Sequence, residues 1–104
     1  MLYSLASTIL LPGKMAEYQD IFLNHMVSIN PQVGLNLLGS WHGLTGDVNE
    51  VFNLLVFDDF SAEQKSREAQ RRNKVYQTGA TRLNALRVSS KVVLLEPNSW
   101  SPMK

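Results

Sequence analysis

Residues 35–57 constrain the fold more than any other segment. LNLLGSWHG at 35–43 and EVFNLLVF at 50–57 flank a Gly/Asp-containing loop, which is the pattern of a β-hairpin. In the second run Val51, Leu55 and Phe57 fall on one side, while Phe52, Leu54 and Val56 fall on the other. An antiparallel sheet with one wet face would alternate apolar and polar residues. This hairpin therefore demands a cover on both faces. Placing Trp41 opposite Val51 sets Gly39 against Asn53 and Leu37 against Leu55. In that register Trp41, Gly39 and Asn53 share a face and His42 neighbours Glu50 on the other, an arrangement that a one-residue slip would reverse.

The remaining chain supplies a cover for one face. LYSLASTILL at 2–11 reads as a strand stopped by Pro12-Gly13. Met15, Tyr18, Phe22, Met26 and Ile29 then line one side of a helix, widened by Ile21, with Glu17 and Asp20 in its early turns. Asn30-Pro31 should end it, because a residue before proline is disfavoured in the α region. Ser61-Ala62-Glu63-Gln64 has the form of a capping box opening a second helix. Its inner face would be Ala62, Ser66, Ala69, Asn73 and Tyr76, and Gly79 should break or kink it. VSSKVVLL at 88–95 is the last strand, ending at Glu96-Pro97. Strand, helix, strand, strand, helix, strand predicts an α+β chain, a ferredoxin-like βαββαβ sandwich with both helices on one face of a four-stranded antiparallel sheet. Residues 1–97 form its single domain and 98–104 a tail that carries Trp100. The helix-free face is still apolar, and a symmetric second copy is the simplest cover, giving a homodimer.

Composition agrees with a covered surface. Charged residues make up 18% of the 104, against roughly 25% in typical domains. Ten Lys and Arg against nine Asp and Glu leave a net charge of +1, with no basic excess for nucleic acid. Arg67, Arg71, Arg72 and Lys74 are interleaved with Glu63 and Glu68, as on a solvated helix face. No apolar run reaches the roughly 18 residues of a membrane span, and the N-terminus lacks the charged start of a signal peptide. The absence of cysteine excludes disulfides, thiolate metal sites and a cysteine nucleophile. The chain reads as cytoplasmic, with no cofactor motif.

PGKMAEY at 12–18, Gly39-Ser40-Trp41, Gly46, Asn49-Glu50-Val51 and Asp58 resemble the NIPSNAP family. The resemblance spans most of residues 2–95 and implies a dimeric α/β barrel, in which two ferredoxin-like sheets close face to face. It also implies membership of a superfamily that includes cofactor-free monooxygenases, lactone isomerases, haem-degrading enzymes and plain binding proteins. Trp41 and Asn49 match the family pattern. The family's following strand commonly carries a His, a Trp and a Tyr, with an Arg at the next helix start. Here those positions hold Asn53, Leu55, Phe57 and Gln64. A reaction that needs the missing His or Arg is therefore not expected.

The candidate ligand-binding residues are Trp41, Asn49, Asn53 and Tyr76. Asn53 stands on an otherwise apolar strand and needs hydrogen-bond partners if buried. A mostly apolar pocket with a few placed polar groups is what small-ligand sites look like. The competing readings are that Trp41 fills core and Asn53 bonds neighbouring main chain. Asn49 also suits a turn-stabilising role, and Tyr18, on the helix stripe, competes with Tyr76 as the aromatic hydroxyl. The catalytic candidates are His42, whose imidazole Glu50 would orient in the register above, and Asn53. His25 reads as a packing residue at the edge of the stripe. No HExxH or other metal-ligand spacing appears. The expectation is a homodimeric barrel that binds a small apolar or aromatic molecule or a protein partner. The alternative is a cofactor-free monooxygenase or isomerase acting on a small aromatic or carbonyl substrate.

Overall fold

The computed structural model describes all 104 residues, Met1–Lys104. Strand β1 (Leu2–Leu10) leads through the Pro12-Gly13 turn into helix α1 (Met15–Ile21). The winding loosens into a π turn over Phe22–Met26, resumes as α2 (Val27–Ile29) and tightens into a 3-10 turn over Asn30–Val33. The proline does not end the helical path as expected. Pro31 occupies the first turn of the 3-10 segment, where its missing N–H is not needed, and Asn30 keeps helical dihedrals of φ −52° and ψ −48°. The path stops at Gly34, whose φ of 77° is readily reached only by glycine.

Strands β2 (Asn36–His42) and β3 (Glu50–Phe57) form the hairpin, followed by helices α3 (Phe60–Arg72) and α4 (Lys74–Asn84) and strand β4 (Arg87–Leu95). The sheet order is β2-β3-β1-β4 with every pair antiparallel, the ferredoxin-like arrangement. One core cluster joins Leu10, Val51 and Leu86 to Tyr18 and Ile21 of α1. A second joins Leu2 and Phe57 to Val33 and Leu35, with Ala62, Ala69 and Tyr76 packed against it. Both lie on the same side of the sheet, so the helices form one layer. No helix is long and apolar enough to cross a membrane.

Two helix boundaries differ from the sequence reading. The N-cap of α3 is Asp59, whose carboxylate accepts the Ala62 N–H at 2.8 Å. A carboxylate is favoured there over the Ser61 hydroxyl because it also meets the positive end of the helix dipole. The break between helices falls at Asn73, not at Gly79. Asn73 is extended (φ −95°, ψ 110°) and its side chain accepts the Tyr76 N–H at 2.9 Å, capping α4. Gly79 is buried within α4, where a Cβ would run into the His25 ring and the Met26 sulfur. Glycine there permits the close approach of α4 to the π turn, and His25 Nε2 meets the Val75 carbonyl at 2.7 Å across the same contact.

The hairpin register also requires a correction. Leu37 faces Leu55 as expected, but the pairing shifts between Leu37 and Gly39. A bulge at Leu38 turns the strand over, so Gly39 faces Leu54, Ser40 faces Asn53, Trp41 faces Phe52 and His42 faces Val51. Trp41 and Gly39 thus lie on the side away from the helices, and a Cβ on Gly39 would strike the Trp41 ring. Asn53 lies on the helix side, opposite to Trp41. His42 and Glu50 are on opposite faces, and Glu50 instead accepts the Ser7 hydroxyl at 2.6 Å.

Away from the helices the sheet presents Leu5, Phe52, Leu54, Val56 and Val93, all only half-buried, beside exposed Leu95 and Trp41. Lys91, Ser7 and Glu50 make its opposite end polar. Beyond β4 a short turn carries Trp100, which is 80% exposed.

Candidate functional site

The helix layer does not sit flush on the sheet. Asn53 reaches up from the centre of β3 and is buried, at 8% exposure. Its Oδ1 accepts the Ser40 hydroxyl at 2.5 Å from the paired position on β2. Its Nδ2 points at the Tyr18 hydroxyl at 3.4 Å, across the gap to α1. Above this chain of polar groups lies a cavity of about 170 Å³. Its apolar wall includes Phe22, Met26, Leu35, Leu37, Leu55 and Leu83, and its polar groups come from Tyr18, Asn30, Asn53 and Tyr76. All four strands, helices α1 and α4, and the π and 3-10 turns contribute to the space or its rim.

Three polar features of this cavity stand unused. Asn30 Oδ1 is buried with no hydrogen-bond partner, a state that native structures avoid unless a water or ligand completes it. Tyr18 accepts from Asn53 but its own hydroxyl donates to no protein group. Tyr76 makes no side-chain hydrogen bond, its helix turn being held instead through its backbone N–H. Burial pushes the pKa of both phenols above the ordinary value of 10.0, opposed at Tyr18 by the Asn53 hydrogen bond. Both therefore stay protonated and able to donate across the neutral range. No carboxylate, lysine or histidine lines the cavity, and no three His, Asp or Glu side chains come together as a metal-holding group.

The sequence candidates are thus divided. Asn53 and Tyr76 face the cavity together. Trp41 and His42 border a neighbouring groove of about 270 Å³ between the edge strand β2 and α1, which shares Tyr18, Phe22 and Leu37 with the cavity as a common wall. Asn49 lies outside both, in the hairpin loop, where its N–H donates to the Asp47 carboxylate at 2.9 Å. A wider hollow of about 380 Å³ opens between α3 and the 3-10 turn, and Ser66, one of its polar residues, already donates to the Val33 carbonyl at 2.7 Å. Among the positions that depart from the family pattern, Asn53 and Leu55 line the cavity. Asn30 and Arg87 were not singled out from sequence. Asn30 follows Phe22 and Met26 at intervals of four residues, so a polar residue continuing an apolar stripe was the available signal.

None of the curated proteins compared with the chain matches it. Among solved structures, a NIPSNAP domain protein from Burkholderia xenovorans is 24% identical, with 98% of this chain and 99% of that one covered and a TM-score of 0.90. A NIPSNAP family protein from Agrobacterium tumefaciens str. C58 is 21% identical, with 99% and 98% covered and a TM-score of 0.92. A crystallised antibiotic biosynthesis monooxygenase is 16% identical, with 94% and 99% covered and a TM-score of 0.69. At these identities the likenesses speak for the fold, and they agree with the ferredoxin-like topology. The family model for NIPSNAP matches residues 3–102, and the chain belongs to that family.

Proposed function

We propose that this protein works as a homodimer in which each protomer holds one small aromatic molecule, bearing an oxygen function, between its helices and its sheet. The unpaired buried Oδ1 of Asn30, a residue that lines the cavity together with Tyr18 and Tyr76, is the observation that carries the reading. A cavity of about 170 Å³ is close to the roughly 150 Å³ engineered apolar cavity that takes up benzene. A single ring fits, and an oxygen on it can both donate to Asn30 and accept from a tyrosine. The dimer is supported by the half-buried apolar residues Leu5, Phe52, Leu54 and Val56 on the helix-free face, which leave too much apolar surface for a solvated sheet.

The same donors would hold a carbonyl or enolate oxygen in a monooxygenase or isomerase, and a solved neighbour of like fold is an antibiotic biosynthesis monooxygenase. Binding without reaction is the better reading, because no carboxylate, lysine or histidine lines the cavity to act as a base. His42 lies on the edge groove outside it. Titration with p-cresol, followed by amide NMR, tests the proposal. Shifts concentrated at Tyr18, Asn30, Asn53 and Tyr76 are expected, whereas no shifts at millimolar p-cresol would overturn it.

A further inference from the structure

The rim of the cavity carries one charge, and strand geometry puts it there. The β1–β4 register shifts between Ile9 and Leu10, so that Ile9 faces Ser89 but Leu10 faces Arg87. The extra residue, Val88, brings Arg87 onto the helix side, whereas an unbroken register would have put Val88 opposite Leu10 and turned Arg87 to the other face. Arg87 there lines the cavity beside Asn84. All the ion pairs of the molecule lie along α3, between Glu63 or Glu68 and Arg67, Arg71 or Arg72, and Arg87 takes part in none. No carboxylate lines the cavity to neutralise it.

We infer that the ligand is an aromatic acid, its carboxylate held at the rim by the Arg87 guanidinium and its ring inside, with a hydroxyl donating to the buried Asn30 Oδ1. This rests on the cavity being a ligand site and adds the charge and orientation of what it holds. A guanidinium is a rigid fork of donors that matches a carboxylate in bidentate fashion, and charge-assisted bonds of this kind are the strong ones. Asn30 Oδ1 is buried and an acceptor only, so the ligand must bring it a donor. A ring hydroxyl supplies that donor while the carboxylate stays with the guanidinium.

Calorimetric titration of the whole protein with 4-hydroxybenzoate and with 4-hydroxybenzamide, its neutral near-isostere, tests the inference. The acid should bind about tenfold more tightly than the amide at neutral pH, and the preference should shrink with added salt. Arg87→Gln should abolish the preference, weakening the acid by about tenfold more than the amide. Because Arg87 is exposed at the rim, that variant should fold as the parent does, with its melting temperature as the check. Equal affinities in the parent, or a preference that survives Arg87→Gln, would overturn the inference while leaving the aromatic-ligand site standing. Failure of both compounds and of p-cresol to bind would remove the site itself.

Discussion

Replacing Asn53 by leucine separates a polar group kept for a ligand from one kept for the fold. The carboxamide is 8% exposed and makes a 2.5 Å bond with Ser40 and a 3.4 Å contact with Tyr18. Net, a hydrogen bond such as that with Ser40 is worth about 1 kcal/mol, and Ser40 is exposed enough to recover a water partner. The Tyr18 contact lies beyond the usual range of about 2.7–3.2 Å and contributes less. Against these losses, a leucine removes the cost of burying an incompletely paired amide, about 1–3 kcal/mol on protein mutational scales. The terms nearly cancel. Asn53→Leu should therefore stay within about 1 kcal/mol of the parent in urea unfolding, or about 4–8 °C in melting temperature. Binding of p-cresol should weaken about tenfold, because Tyr18 loses the amide that orients its hydroxyl towards the ligand, and each 1.4 kcal/mol is a factor of ten. Unfolding curves and p-cresol titrations on the same preparation give both numbers. A variant destabilised by about 3 kcal/mol or more that still binds p-cresol normally would show Asn53 to be part of the scaffold, and the argument from its polarity would be wrong.

Gly79→Ala should destabilise the protein by about 1–3 kcal/mol, because overpacking against His25 and Met26 outweighs the gain in helix propensity of about 1 kcal/mol. A stabilised variant in urea unfolding would show that the π turn yields freely. Since Tyr18 and Tyr76 are held above their ordinary pKa of 10.0 by burial, the unfolded chain loses those protons first and binds fewer of them than the native state. Stability should be flat in this respect below about pH 10 and fall as pH rises above it. Melting curves between about pH 8 and 11 should show a shallower alkaline limb for Tyr18→Phe, and an unchanged limb would dissociate Tyr18 from it. Leu54→Lys, at the centre of the helix-free face, should convert the dimer to an 11.7 kDa species in sedimentation. Wild-type protein already sedimenting at that mass would contradict the dimer.

The fold was legible in the sequence wherever periodicity and turn residues agreed. EVFNLLVF is a strand at residues 50–57, and two apolar faces on it are what a sheet with helices on one side and an apolar surface on the other requires. The site was less legible because it depends on two register breaks that no local pattern announces. Asn53 and Tyr76 come to one cavity, but the bulge at Leu38 sends Trp41 to the other face, and an extra residue at Val88 brings in Arg87. A single inserted residue reverses every side chain beyond it, so face assignments made by counting from the turn fail after such a point. Asn30 was obscured differently. The dipeptide with Pro31 reads as a stop signal, whereas the helical path continues through it and buries the carboxamide.

The two register breaks also share a location. Both fall where the edge strands β2 and β4 meet their inner neighbours, one near each end of the sheet order. Edge strands expose unpaired N–H and C=O groups that invite further strands, and bulges are among the devices that twist such edges out of a continuous ladder. The irregularities that orient Trp41 and Arg87 thereby interrupt both free margins of the sheet. The face-to-face dimer proposed above would then meet less competition from sideways growth.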